Sequence, residues 1–147
     1  IGRLDEPSEG LLLLTTNGKV SEYIRSSKVE KEYYAQVDGI ITNDAIEKLK
    51  NGVEISTESG KYITKNCIVL KVETPDLPKR AKKIRDERHG PTTWISITLT
   101  EGKFRQVRKM TAAVGFPTLR LVRVRVGSLN LDKLNLGEVK KIDSFFE

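Results

Sequence analysis

The chain has 147 residues, enough for one domain with a real core. A hydrophobic share of 37% beside 31% charged residues excludes a disordered chain, and no apolar run approaches membrane-spanning length. One cysteine, Cys67, excludes an intrachain disulfide and points to a reducing, cytoplasmic setting, while a lone histidine leaves no zinc constellation.

In chain order, Ile1 to Asp5 reads as a strand or loop end and Glu6 to Gly10 as a turn. Leu11 to Thr15 is expected as a short apolar strand closed by the turn dipeptide Asn17-Gly18. Val20, Tyr23 and Ile24 have helical spacing within Val20 to Ser27. Lys31 to Val37 reads as a strand. Asp44 to Lys50 reads as a helix, with Asp44 and Glu47 at capping-box spacing and Gly52 beyond its end. Val53 to Ile55 and Asn66 to Val72 are further strand candidates, and Pro75 to Gly90 is expected as a mobile basic loop. Trp94 to Thr100 has the two-residue period of a half-buried strand. After a turn at Glu101-Gly102, Lys103 to Val114 reads as a helix with Phe104, Val107, Thr111 and Val114 on one stripe. Leu119 to Val126 is expected as a strand with Val122, Val124 and Val126 on one face and Arg123 and Arg125 on the other. Leucines at 129, 131, 134 and 136 suggest a packed tail of strand and turn. Strands mixed with short helices imply an α+β fold with a mixed, largely antiparallel sheet.

Charge is pooled rather than spread. Residues 79 to 125 hold 13 of the 26 Lys and Arg but only three acids, Asp86, Glu87 and Glu101. Such a field attracts polyanions. Lys79, Arg80, Lys82, Lys83, Arg85 and Arg88 could neutralise several phosphates, but their loop has no aromatic with which to read a base. In KFRQVRKM, Arg105 and Arg108 lie three apart and project from adjacent turns. Arg108 borders the apolar stripe, where a guanidinium either snorkels to water or meets an acid, and Asp5 is the candidate acid. A desolvated carboxylate held by an arginine can attack an anomeric carbon, with Glu6 or Glu9 as the second carboxyl that a hydrolase needs. On composition and spacing alone, Asp5 reads better as a turn residue.

These same residues carry a resemblance. GRLDEPSEGLLLLTTNG resembles the signature of RNA pseudouridine synthases of the ribosomal-RNA branch, KEYYAQVDG their Lys-x-Tyr motif, and EGKFRQVRKMTAAVGFPTLRLVRVRVG their third motif. The three stand in the family's order, similarity runs from residue 2 to about residue 142, and the third run is similar to the large-subunit class E branch. The resemblance implies a cofactor-free, metal-free isomerase that converts a uridine in ribosomal RNA to pseudouridine; a monomer is expected, and the lack of a long apolar run leaves no membrane partner expected.

By the same resemblance, Asp5 is the essential carboxylate, acting either on the sugar carbon or by abstracting a sugar proton. Tyr33 packs against the target base (strand alternation does not choose between it and Tyr34), and Arg108 pairs with the carboxylate. Arg3 fills the stack left by a flipped nucleotide, as base-flipping chemistry requires. Lys31, Arg105 and Gln106 are expected near RNA, Leu121 in the pocket wall, and Lys103 and Lys109 at phosphates. Lys103, Phe104 and Lys109 depart from the class E pattern, which puts bidentate phosphate geometry in question. The family's Asn-Lys-Pro strand does not precede GRLD here, so residues 1–147 are expected to be an N-terminally incomplete catalytic domain. The alternative is a non-catalytic RNA-binding domain on the same scaffold.

Overall fold

A computed structural model describes residues 4–77, 90–103, 105–132, 134–143 and 145. Among these the chain runs β1 (Glu9–Gly10), α1 (Gly18–Arg25), β2 (Lys31–Asp38), α2 (Asn43–Asn51), β3 (Glu54–Thr57), β4 (Gly60–Ile63), β5 (Ile68–Val72), β6 (Thr92–Leu99), α3 (Gln106–Ala113), β7 (Thr118–Val126) and β8 (Leu129–Asn130). The main sheet has the order β1-β7-β2-β6-β5, with β8 also paired to β7, and β3 and β4 form a separate hairpin. Every pairing is antiparallel except β1 with β7. The α+β architecture expected from the sequence is the one found.

Alternation along β2 sets the two faces of the sheet. Ala35 and Val37 are fully buried and join Ile95, Ile97, Val69 and Leu121 under Leu49 of α2 and Met110 of α3. A second cluster, with Leu11, Ile24, Val29, Val122, Val126 and Leu131, forms where α1 and the tail pack on the sheet. Burying fourteen side chains in the first cluster makes it the main hydrophobic contribution to stability.

The local expectations that fail do so for tertiary reasons. β6 is not half-buried: every residue from Trp94 to Leu99 is buried. Its polar side remains tolerable because Ser96 Oγ donates to Glu32 Oε2 at 2.7 Å, while Glu32 Oε1 accepts from Arg125 Nε at 3.0 Å. Leu11 to Thr15 is not a strand. β1 occupies the edge of β7 at Val122 and Arg123, β8 takes that edge at Arg125 and Val126, and no ladder is left for the leucines. Leu12 and Leu14 are accordingly 49% and 79% exposed.

Asn17-Gly18 does not close a hairpin. Asn17 is the N-cap of α1, its Oδ1 accepting from Lys19 N and Val20 N at 3.0 and 3.3 Å. α2 is likewise capped by Thr42, whose Oγ1 accepts from Ala45 N at 3.1 Å, so the expected Asp44–Glu47 box does not form. Asp44 instead meets Lys48 on the surface. β4 had no counterpart among the expected strands, and the expected loop from Pro75 to Gly90 falls largely outside the described residues.

The valine–arginine alternation of β7 is broken where it matters most. Tyr33 stands opposite Arg123 but Glu32 stands opposite Arg125, a register shift that leaves Val124 as the extra residue. Arg125 therefore turns to Glu32, while Arg123 and Val126 share the cleft with Tyr33 and Lys31. No described helix is long and apolar enough to cross a membrane.

Candidate active site

A cleft of about 530 Å³ opens between the turn preceding β1, the strands β2 and β7, and the start of α3. Its walls carry Asp5, Ser8, Lys31, Tyr33, Arg105, Gln106, Leu121 and Arg123, with Leu99 and Val107 adding apolar surface. Sequence reasoning named six of these eight polar or wall residues and missed Ser8 and Arg123.

Asp5 begins a tight turn closed by Ser8 N–H donating to its carbonyl at 2.9 Å. Its carboxylate Oδ2 pairs with Arg105 Nη1 at 3.1 Å, with side chains 19% and 38% exposed respectively. Arg105, not Arg108, makes the ion pair expected of this acid. The cause is where the helix starts. α3 begins at Gln106 rather than Lys103, so Arg105 stands outside it with left-handed φ 54° and ψ 33° and reaches across to Asp5. Arg108, in the first turn, meets the same turn of chain one step along, its Nη2 donating to Ser8 Oγ at 3.0 Å. Two arginines thus pin α3 to Asp5–Ser8.

A left-handed arginine costs about 1–2 kcal/mol relative to ordinary backbone, so its surroundings must enforce it. The enforcement comes from Gln106 and Glu101. Gln106 Oε1 accepts from Lys103 N at 3.0 Å, and its Nε2 donates to Glu101 Oε2 at 2.9 Å. Glu101 also accepts from Lys65 N at 2.7 Å and from the Tyr62 hydroxyl. Burial pushes the Glu101 carboxyl up, but hydrogen bonds from Tyr62, Lys65 N–H and Gln106, with the Lys65 charge, outweigh it and hold it below the usual range. Gln106, expected near RNA, is only 4% exposed and acts as an internal brace. Tyr62 and Glu101 were not foreseen; the Glu-Gly turn was the one visible sign of the latter.

Tyr33 lies on the β2 face that carries Ala35 and Val37, packs against the first core cluster and lines the cleft. Tyr34, one residue on, belongs to the opposite face, so geometry selects between the two tyrosines. Leu121 sits in the wall as expected. Lys31 Nζ donates to Ser26 O at 3.2 Å, and burial, then the nearby Arg123 charge, pulls its ammonium below the usual lysine range. Lys103 lies at the mouth with its ammonium over the Tyr62 ring at 4.8 Å. Lys109 is outside the lining, its Nζ on Ser56 O at 2.7 Å. Arg3, Lys79, Arg80, Lys82, Lys83 and Arg85 lie outside the described residues.

Residues 1–113 match the family model for RNA pseudouridylate synthase. The chain is 42% identical to ribosomal large subunit pseudouridine synthase E of Vibrio parahaemolyticus, over 96% of its own length and 58% of that protein's. It is 38% identical to the protein of the same name from Xanthomonas campestris, covering 97% of this chain and 76% of the relative. A ribosomal large subunit pseudouridine synthase B from Bacillus subtilis is 33% identical over 97% of the chain and 52% of the relative. A solved pseudouridylate synthase superposes with a TM-score of 0.68 at 28% identity, covering 90% of this chain and 50% of that one. The chain spans about 58% of the length of the Vibrio relatives. With its motifs, its mixed sheet and its family-model match in agreement, the chain belongs to the RNA pseudouridylate synthase family.

Proposed function

We propose that residues 1–147 are a catalytic domain that isomerises a uridine of large-subunit ribosomal RNA to pseudouridine. The reaction breaks the bond from the sugar C1′ to N1 and forms one from C1′ to C5; the base loses a proton at C5 and gains one at N1. Asp5 is the carboxylate that acts on the ribose, oriented by Arg105 and, through Ser8, by Arg108. Tyr33 packs the extruded base against the β2 floor, and Leu121 supplies apolar wall. Arg3 occupies the vacated stack, and Lys79, Arg80, Lys82, Lys83, Arg85, Lys103 and Lys109 meet phosphates. The protein works as a monomer in the cytoplasm on RNA alone.

One observation carries this reading: an aspartate and an arginine 100 residues apart in sequence meet in a cleft that Tyr33 and Leu121 also line. The names of the relatives support ribosomal RNA as substrate. In cells lacking the gene, pseudouridine should vanish at one or a few large-subunit sites, return with the wild-type full-length protein and not with Asp5→Asn. The Asn variant should still bind RNA while losing at least roughly a thousandfold in rate. Persistence of every site in the deletion strain would overturn the assignment and leave the non-catalytic RNA-binding alternative. Release of free uracil would instead reveal a hydrolase.

A further inference from the structure

Three arginines lie on β7, and two have carboxylate partners. Arg120 forms a fork with Glu9 at 2.8 and 2.9 Å, and Arg125 pairs with Glu32 at 3.0 Å and Glu30 at 3.5 Å. Arg123 is the most buried of the three, 7% exposed, and pairs with no described carboxylate. Its Nε donates to Leu11 O at 2.8 Å, which leaves its two terminal nitrogens for the cleft it lines. Lys31, diagonally across on β2, likewise bonds only a backbone carbonyl, that of Ser26, and the two cations lie near enough to repel.

Like charges gathered in a half-dry cleft are costly unless an anion joins them. The cleft's own acids do not fill that role. Asp5 is paired with Arg105, Glu101 accepts from Tyr62, Lys65 and Gln106, and Glu58 makes no ion pair with either cation. The two groups together offer six unspent donors, since a guanidinium has five and an ammonium three. Such a supply exceeds what one base carbonyl can accept. It suits a singly charged phosphodiester, whose two free oxygens match the guanidinium fork.

We propose that Arg123 and Lys31 form a phosphate-binding subsite in the cleft floor, taking the phosphodiester beside the nucleotide whose base packs on Tyr33. The assignment of RNA as the source of that phosphate rests on the reading above; the anion chemistry stands on the two cations alone. Because Arg123 is the cross-strand neighbour of Tyr33, one phosphate held there fixes the sugar relative to the base platform. The bulge at Val124 is what makes this possible, by turning Arg125 away and leaving Arg123 in the cleft.

The test has two arms. Inorganic phosphate and uridine 5′-monophosphate are titrated into the full-length protein while the Arg123 Nε–H signal is followed by NMR, with uridine as control. A saturable shift with both phosphates and none with uridine is expected; no shift with either overturns the subsite whatever the enzyme's activity. The second arm uses the ribosomal stem-loop that carries the mapped site, with the phosphate flanking the target either native or a neutral methylphosphonate. Arg123→Lys should bind native RNA roughly tenfold more weakly, yet lose nothing further on the methylphosphonate RNA. Lys31→Met, which leaves the Leu11 tether intact, should behave alike. Equal losses on both RNAs would show a merely structural arginine and overturn the proposal. Absence of pseudouridine with wild-type protein would refute the ribosomal reading instead, and the phosphate titration would still decide the subsite.

Discussion

Glu101 is the residue whose replacement tests the construction of the site most directly. It accepts three hydrogen bonds, from the Tyr62 hydroxyl, Lys65 N–H and Gln106 Nε2, and it is half-buried. Bonds to a charged acceptor are worth about 1.5–3 kcal/mol each when buried, and solvent access brings these nearer 1, so the network contributes about 3 kcal/mol. Glu101→Leu should cost about that much, because Gln106 Nε2 would be left buried with only the Met110 sulfur at 3.6 Å to accept from it. Glu101→Gln should cost about 1 kcal/mol or less, since its amide oxygen can take the Oε2 position that serves Lys65 and Gln106, and the Tyr62 hydroxyl can reverse to accept. Urea unfolding of the two variants checks this. Equal midpoints for Leu and Gln would refute the claim that the network enforces the left-handed Arg105. Activity should follow the same order, as a slack turn releases Arg105 from Asp5.

Three further outcomes follow from described geometry. Because the net effect of its hydrogen bonds is to depress the Glu101 carboxyl, its stabilisation is present above the ordinary glutamate value of 4.5 and lost as pH falls through the lower folded value. Wild type should therefore lose urea resistance in that acidic range by more than Glu101→Gln does. Gly10 has φ 111°, and an added Cβ would lie 2.2 Å from the Arg123 carbonyl oxygen. Gly10→Ala should accordingly break the β1–β7 pairing at a cost of at least about 2 kcal/mol by urea unfolding, with activity falling as Asp5 drifts. Arg105→Gly removes left-handed strain worth about 1 kcal/mol and a half-exposed ion pair of similar value, so stability should change by less than about 1 kcal/mol while turnover drops at least roughly tenfold.

The sequence made the long elements visible wherever burial follows local period. β2 and α2 are examples: Ala35 and Val37 alternate into the core, and Ile46 and Leu49 share the helix face that covers it. It misled where one residue's role depends on a distant partner. Leu11 to Thr15 has every local mark of a strand, yet β8, more than a hundred positions later, claims the edge it needs. Asn17-Gly18 suits a turn and a cap equally, and only the helix that follows decides. Within the site, Asp5 and Tyr33, which both line the cleft, were legible only through resemblance to the family motifs, since spacing alone made Asp5 a turn residue and did not separate Tyr33 from Tyr34. The choice between Arg105 and Arg108 was not, because the helix was expected from Lys103 but begins at Gln106, with Arg105 as its left-handed N-cap. Arg123 escaped notice because strict alternation grouped it with Arg125, and a bulge is invisible to a period-two pattern.

The pairing of Glu9 with Val122 and of Asp5 with Arg105 joins the earliest part of this stretch to one of the last. During synthesis the acid would leave the ribosome long before its partner is made, and closing so large a loop is among the slowest events in folding. A half-finished chain would thus lack the Asp5–Arg105 pair, and an assembled cleft would certify that folding had run to completion.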